Sequence, residues 1–136
     1  MGVETVTYND IIDCINNPEV LLIDVRDPAD IADTGCIPTS INIPLCKVQQ
    51  ELKQSRLAFL AKYQRTKPAY SQKLIFYCQF GELAQEAAEI ASSSNLGFMN
   101  VSVYKAGFSE WKFKWNEFDD YVDPERLKQQ ERYRNF

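Results

Sequence analysis

The sequence predicts an α/β fold in which a parallel sheet of about five strands carries helices on both faces. Short apolar segments rich in Ile, Val and aromatic residues alternate with amphipathic helical segments along the chain. The clearest unit starts with the apolar strand 73–77, turns at Gly81 and continues from Glu82 into strong helix formers. Cys78 lies between this strand and this helix, which is where open α/β sheets bind their ligands.

The other elements follow from the same apolar patterns and from capping signals. Strands are predicted at residues 5–7, 20–25, 40–43 and 101–104. Helices are predicted from a cap at Asn9 or Asp10 to about residue 16, after Pro28, within 47–63 in one or two pieces, over 82–93, and from Gly107 onward. In the helix after Cys78, the spacing places Leu83, Ala87 and Ile90 on one apolar face.

The composition is that of one globular domain. With 136 residues, of which 45% are apolar, the chain is long enough to bury a core. We assign residues 1–118 to this domain and residues 119–136 to a charged C-terminal extension, either a surface tail or a solvated helix. The net charge of −4 argues against nucleic acid as a partner. No apolar segment approaches the roughly 20 residues that span a membrane, and no signal segment is evident, so a cytoplasmic location is expected.

The absence of histidine narrows the chemistry. Hydrolases with a Ser-His-Asp or Cys-His arrangement, and zinc proteases with an HExxH motif, need an imidazole that this chain does not have. The four cysteines (Cys14, Cys36, Cys46 and Cys78) form no C-x-x-C pair and should be reduced in the cytosol. We expect no metal and no cofactor; a zinc site built from the scattered cysteines is the alternative.

Cys78 is the candidate reactive residue. At its position, unpaired backbone amides and the positive end of a helix dipole stabilise a thiolate and bind anions. The alternative is a small buried cysteine followed by a glycine that only makes a turn.

Four motifs, in order along the chain, resemble those of the rhodanese family. They read LIDVRDPAD at 22–30, GCIPTSINIP at 35–44, FYCQFG at 76–81, and GFMNV at 97–101 followed by YKAGFSEW at 104–111. In the family, the first two motifs read D-V-R-x-x-x-E and G-H-I-P-G-A-x-N-I-P. The third motif is the catalytic strand and loop, and the last one reads G-Y-x-N-V followed by Y-x-G-G-x-x-x-W. The resemblance covers roughly Thr5 to Trp115 and is greatest to small single-domain thiosulfate sulfurtransferases.

The resemblance implies a doubly wound, rhodanese-like fold and a sulfurtransferase activity. In the family, the loop cysteine takes a sulfane sulfur from a donor, becomes a persulfide and passes the outer sulfur to a thiol or to cyanide. The donor implied here is thiosulfate or a persulfide, and the acceptor is glutathione or a thioredoxin-like protein. The protein is expected to be a monomer.

The resemblance also implies roles for individual residues. Cys78 is the implied catalytic residue. The loop that would bind the anion and the persulfide comprises Gln79, Phe80, Gly81, Glu82 and Leu83. Asp24 and Arg26 occupy the D-V-R positions; we interpret Arg26 mainly as a structural ion-pair partner and Asp24 as a residue that shapes the loop.

The loop departs from the family pattern in its charge. Active relatives usually read C-R-x-G-x-R/T or C-Q-x-G-K-R, whereas Glu82 and Leu83 stand here where Lys and Arg would be. A unit charge about 5 Å from an anion is worth roughly 3 kcal/mol at an effective dielectric near 20, so we expect thiosulfate use to fall by at least about tenfold. Cys36 replaces the usual His and is either a packed substitution or a second redox thiol, and Thr39-Ser40 replaces Gly-Ala.

Three functions are compatible with these residues. The first is a sulfurtransferase or persulfide carrier that uses thiosulfate weakly. The second is a catalytically weak interaction or sensor module. The third is a phosphatase or arsenate reductase of the same fold, which needs a C-x5-R loop and would have Ala84 in place of its Arg.

Overall fold

The computed structural model describes residues 3–119, with side chains described up to Trp115. The predicted C-terminal extension over 119–136, including its helix, therefore lies outside the described residues from position 120 onward. Residue 118, the predicted domain boundary, falls inside the last helix of the described part.

The described residues form five strands and six α-helices. The strands are β1 (Glu4–Thr5), β2 (Val20–Asp24), β3 (Ile41–Asn42), β4 (Lys73–Tyr77) and β5 (Val101–Val103). The helices are α1 (Tyr8–Cys14), α2 (Pro28–Thr34), α3 (Val48–Leu52), α4 (Arg56–Tyr63), α5 (Glu82–Ser92) and α6 (Gly107–Asp119). A 3-10 turn (Leu45–Lys47) precedes α3. The predicted order of strands and helices is confirmed, with most boundaries shifted by one or two residues.

All five strands are parallel, in the order β1-β5-β4-β2-β3. The predicted five-stranded parallel sheet is therefore confirmed. Strands β2 and β4 are neighbours in the interior of the sheet, and their register pairs Asp24 with Tyr77. Because parallel strands end at the same edge of a sheet, the residues that follow Asp24 and Tyr77 emerge side by side. This pairing brings the D-V-R segment next to Cys78.

The sheet carries helices on both faces, as predicted. Successive strand residues point to opposite faces, so Leu21, Ile23, Leu74 and Phe76 face one core, together with residues of α3, α4 and α5. Leu22, Ile75 and Tyr77 face a second core, formed with α1 and α6. Strands β2 and β4 are buried on both sides, which explains their almost wholly apolar sequences.

The N-cap of α1 lies two or three residues before the predicted cap. Thr7 is the N-cap: its hydroxyl accepts a hydrogen bond from the Asp10 amide at 3.3 Å, and the Asp10 carboxylate accepts one from the Thr7 amide at 2.8 Å. This is a capping box in which Asp replaces the usual Glu or Gln. The predicted caps, Asn9 and Asp10, were wrong because Thr7 satisfies the first free amides itself.

The buried face of α5 is made of alanines rather than of the larger residues that the spacing indicated. Ala84, Ala87, Ala88 and Ala91 are fully buried. Leu83 is 44% exposed and Ile90 is half-buried. Methyl side chains allow the helix to pack closely against β4 and β5, so the bulkier Leu83 and Ile90 are displaced toward the flank of the helix. Of the predicted face, only Ala87 is fully buried.

Candidate active site

Cys78 directly follows β4 and lies close to the start of α5. Its side chain is only 2% exposed and belongs to the core on the α5 side of the sheet. The chain then turns through Gly81, which has a φ of +95° and is the N-cap of α5. The local sequence explains this turn, because glycine adopts a left-handed conformation without steric cost.

The sulfur of Cys78 accepts a backbone hydrogen bond inside this turn. The amide of Gly81 donates to the Sγ atom at 3.0 Å. Gly81 also begins an eleven-residue helix, whose N-terminal amides and dipole favour negative charge nearby. Both features place a hydrogen-bond donor and the positive end of a helix dipole beside this sulfur.

The outer side of the loop is apolar and acidic. Phe80 is 72% exposed and Leu83 is 44% exposed, while the Glu82 carboxylate also points to solvent. Gln79 is half-buried. The side chains from Gln79 to Leu83 therefore present two apolar groups and one negative charge, and no basic group, around the turn that holds the thiol.

The backbone at the start of α6 is hydrogen-bonded to this loop. The Phe108 amide donates a 2.9 Å hydrogen bond to the carbonyl of Cys78, and the Ser109 amide donates a 3.3 Å bond to the carbonyl of Gln79. Gly107 has a φ of +74°, and a Cβ there would lie 2.5 Å from the Gln79 oxygen and 2.7 Å from the Cys78 oxygen. The sequence did not predict these contacts between α6 and the loop; the glycine that begins the last helix was the signal that could have indicated them.

A second close backbone approach occurs on the other side of the turn. A Cβ on Gly81 would lie 2.4 Å from the carbonyl oxygen of Lys105 and 3.1 Å from its Cγ atom. The loop and the segment before α6 therefore pack backbone to backbone, and a glycine on each side makes this possible.

Asp24 and Arg26 form a buried ion pair beside the loop. Nη2 of Arg26 lies 2.8 Å from Oδ2 of Asp24, and the two residues are 2% and 0% exposed. Burial opposes the charged form of Arg26, but the carboxylate of Asp24 outweighs burial and raises the pKa of Arg26. Asp24 also accepts a 2.9 Å bond from the Arg26 amide, so the carboxylate fixes the backbone as well as the guanidinium.

The Arg26 guanidinium also contacts the end of α2, the loop after Cys78 and α6. It donates to the Thr34 hydroxyl at 3.0 Å, to the Gly35 carbonyl at 2.9 Å and to Oε1 of Gln79 at 3.3 Å. Its Cζ atom lies 4.2 Å from the centre of the Phe108 ring. Arg26 is thus an ion-pair partner that also contacts the loop and α6, a contact that the sequence alone did not indicate.

Cys36 lies nearby and is half-buried. Burial raises the pKa of the Cys36 thiol, although a hydrogen bond with Ser40 acts in the opposite direction. The Ser40 hydroxyl also bonds to the Tyr77 hydroxyl at 2.9 Å, and the Tyr77 hydroxyl accepts from the Ile37 amide at 3.0 Å. Burial therefore favours the neutral form of Cys36, which fits a packed substitution better than a second redox thiol.

The described residues offer no obvious place for a metal ion. Among residues 3–119, no group of three or more Cys, Asp or Glu side chains could hold one, and all four cysteines are free thiols. Within the same range, no helix is both long enough and apolar enough to cross a bilayer.

Comparison with known proteins identifies the family. The rhodanese-like domain profile matches residues 7–114. A rhodanese domain-containing protein of Drosophila melanogaster is 43% identical over 108 residues, which are 79% of this chain and 96% of the fly protein. A human thiosulfate:glutathione sulfurtransferase is 31% identical over 111 residues, covering 81% of this chain and 94% of the human protein.

Solved structures agree with the sequence comparison. The structure of a human single-domain sulfurtransferase superposes with a TM-score of 0.74 at 30% identity, over 83% of this chain and 98% of the human chain. The family profile and this solved structure each match most of the chain, so the resemblance inferred from four short motifs extends well beyond those motifs. The chain belongs to the rhodanese-like domain family.

Proposed function

We propose that this protein is a sulfurtransferase that carries a sulfane sulfur as a persulfide on Cys78 and passes it to a thiol or to cyanide. The observation that supports this most strongly is the hydrogen bond from the Gly81 amide to the Cys78 sulfur at the start of α5. A thiolate and a persulfide are both anions, and this turn favours an anion in either state. The relatives named as sulfurtransferases support the same reaction class.

The reaction balances without any outside oxidant or reductant. The Cys78 thiolate attacks the outer sulfur of the donor, a Cys78 S–S bond forms, and the donor's own bond to that sulfur breaks. The bonding electron pair leaves with sulfite from thiosulfate, or with a thiolate from a persulfide. In the second half, an acceptor thiolate or cyanide attacks the outer sulfur and the Cys78 thiolate is released.

Each site residue has a role in this proposal. Cys78 is the nucleophile, and the backbone from Gln79 to Leu83 surrounds the persulfide. Asp24 and Arg26 position the loop through the Gln79 contact and do not touch the sulfur donor. The exposed Glu82 and Leu83 side chains make thiosulfate a poor donor, because a dianion gains no opposite charge there. We therefore propose a persulfide as the main donor, and a thiol such as glutathione or a thioredoxin-like protein as the acceptor.

The other two functions receive less support. An interaction or sensor module is favoured by one observation, the exposed Phe80 ring on a loop with no basic side chain. A phosphatase of the C-x5-R type would need its Arg where Ala84 stands, and Ala84 is fully buried in the first turn of α5. We further propose that residues 1–118 act as one monomeric, cytoplasmic domain. Sedimentation analysis and fluorescence microscopy of a tagged chain test these two points.

Intact-mass spectrometry tests the proposed reaction directly. The purified protein is measured before and after treatment with thiosulfate and, separately, with glutathione persulfide. We expect the mass of one sulfur atom to be gained from the persulfide, little to be gained from thiosulfate, and cyanide to reverse the gain.

Two cysteine variants serve as controls for that experiment. Cys78→Ser removes the proposed nucleophile, and Cys46→Ser removes an exposed thiol while keeping Cys78. The adduct should be absent from the first variant and present in the second. If neither donor modifies Cys78 while the thiol still reacts with an alkylating reagent, the interaction module becomes the better proposal.

A further inference from the structure

A groove of about 490 Å³ lies directly beside the loop of Cys78. Its apolar lining comes from the residue after β2, from the segment before α3 and from the flank of α5: Val25, Pro44, Leu45, Leu83 and Ile90. Leu83 belongs both to this groove and to the loop, so the two surfaces are continuous. The displacement of Leu83 and Ile90 from the buried face of α5 is what creates the apolar wall.

The edges of the groove are acidic. Asp27, Asp30 and Glu86 line it and are exposed to solvent, and none of the described lining residues is Lys or Arg. Glu82, next to Leu83 in the loop, adds a further exposed carboxylate close by. An apolar surface bordered by like charges attracts a ligand that combines apolar groups with positive charge and repels an anionic one.

The size of the groove favours a polypeptide over a small thiol. Leu83 and Ile90 are two helical turns apart, so the wall along α5 extends for about 10 Å. That length matches about three residues of extended chain. Glutathione carries a net negative charge and offers little apolar surface, so neither the acidic edges nor the apolar wall would favour it.

We infer that this groove is the docking site for a basic, apolar segment of a protein that exchanges sulfur with Cys78. The inference rests on the proposed sulfurtransferase function and specifies its macromolecular partner. The partner's thiol or persulfide lies near its basic segment, and docking brings it to the loop through Leu83. Sulfur then moves as described above: the Cys78 thiolate attacks the outer sulfur of the partner persulfide, and the partner leaves as a thiolate that takes up a proton.

Two synthetic peptides of equal length probe this charge preference. Each carries one cysteine, prepared as a persulfide, flanked either by Lys, Arg and Leu or by Glu and Leu. The rate of sulfur appearance on Cys78 is followed by mass spectrometry at low and at high salt. We expect the basic peptide to react at least about tenfold faster at low salt, and added salt to reduce this preference because the interaction is electrostatic.

Two matched sets of charge variants show which acidic side chains cause the preference for the basic peptide. Asp27→Asn, Asp30→Asn and Glu86→Gln together neutralise the edges of the groove. Asp13→Asn, Asp33→Asn and Glu89→Gln together make the same change in net charge at positions that do not line it. The first set should abolish the preference for the basic peptide and the second should keep it, while glutathione persulfide should react at least as fast with both as with the parent.

A binding measurement separates this inference from the proposed reaction. The thiol forms of both peptides are titrated onto the Cys78→Ser variant, in which no sulfur transfer occurs. Tighter binding of the basic peptide, lost in the groove set only, supports the docking site even if Cys78 accepts no sulfur. Equal binding of both peptides, or equal behaviour of the two charge sets, overturns the docking site and leaves the proposed sulfur transfer untouched.

Discussion

The Nη1 atom of Arg26 lies 3.3 Å from the Oε1 atom of Gln79, so the segment after β2 is tied directly to the loop that holds Cys78. The same guanidinium packs on the ring of Phe108, whose amide holds the carbonyl of Cys78. One buried side chain therefore contacts both the loop and the helix that braces it. Through these contacts Arg26 can influence the position of the Cys78 sulfur.

Two substitutions of Arg26 should distinguish its contribution to stability from its effect on the position of the loop. Arg26→Ala leaves the Asp24 carboxylate buried without its partner and should lower the free energy of unfolding by about 3–5 kcal/mol. Arg26→Lys keeps the charge but cannot reach Asp24, Gly35 and Gln79 at once. We expect this variant to stay folded while Cys78 accepts sulfur about tenfold more slowly, which corresponds to a barrier higher by about 1.4 kcal/mol.

Urea denaturation and persulfide loading measure these two effects. Gln79→Leu is the control, because it removes only the loop end of the contact; it should slow loading without the stability loss of Arg26→Ala. Loading of Arg26→Lys at the parental rate would show that the Gln79 contact does not position the sulfur.

Reversal of the loop charge should improve the use of thiosulfate. Glu82→Lys with Leu83→Arg places two cations beside the turn where the parent has one anion and an apolar group. A single charge at about 5 Å is worth roughly 3 kcal/mol before screening, so we expect at least about a tenfold gain. The readout is thiosulfate:cyanide activity, and the gain should shrink with added salt.

A second variant controls for net charge in that experiment. Glu89→Lys with Leu57→Arg makes the same change in net charge away from the loop, at an exposed position of α5 and one of α4. It should leave the activity near that of the parent. An equal gain in both double variants would mean that overall charge, and not the loop, controls the reaction with thiosulfate.

Two glycines with nearly the same positive φ test the contacts between α6 and the loop. Gly107 and Gly97 have φ values of +74° and +73°, but a Cβ at Gly107 would collide with two carbonyl oxygens, whereas none lies within 4 Å at Gly97. Gly97→Ala should cost about 1–2 kcal/mol for the left-handed backbone. Gly107→Ala should cost more and should also slow sulfur loading, because the loop must move away from α6. Thermal unfolding and persulfide loading provide the comparison, and similar losses in both variants would argue against a role for these contacts.

The buried Glu51 should make stability depend on acidity. Burial opposes its charge, but hydrogen bonds from Lys62 and Tyr63, both at 2.5 Å, outweigh burial and hold the pKa of Glu51 below its ordinary value of 4.5. A carboxylate with a depressed pKa stabilises the folded state above the unfolded value, and this contribution is lost as the pH falls through the folded one. Urea unfolding between pH 7 and pH 3 should therefore show a steeper loss below pH 4.5 for the parent than for Glu51→Gln. Parallel curves would exclude this contribution.

Most of the fold could be predicted because its signals are local. The strand 73–77 is apolar throughout, and the residues after Gly81 are strong helix formers, so both boundaries of that unit were predicted to within one residue. The buried face of α5 could not be predicted from apolar spacing. The distance between the helix and the sheet decides whether a Leu or only an Ala fits there, and the spacing does not give that distance. The cap of α1 was missed because Thr7 and Asp10 act as a pair.

The candidate site was predictable only in part. The position of Cys78 follows from the strand–turn–helix pattern, and the D-V-R segment follows from the family motifs. The bonds from Arg26 to Gln79 and from α6 to the loop join residues that are far apart in the sequence. No local pattern specifies such contacts, so only the folded chain reveals them.

Because β5 lies between β1 and β4, the sheet can be completed only after β5 has been synthesised. Strand β1 pairs Glu4 with Ser102, so the first strand has no neighbour until the fifth has left the ribosome. The amides of α6 that hold the carbonyls of Cys78 and Gln79 emerge later still. Non-local pairing of this kind delays folding. The hydrogen bonds between α6 and the Cys78 loop can therefore form only after α6 has been made, and a nascent chain that stalls before Gly107 would lack them.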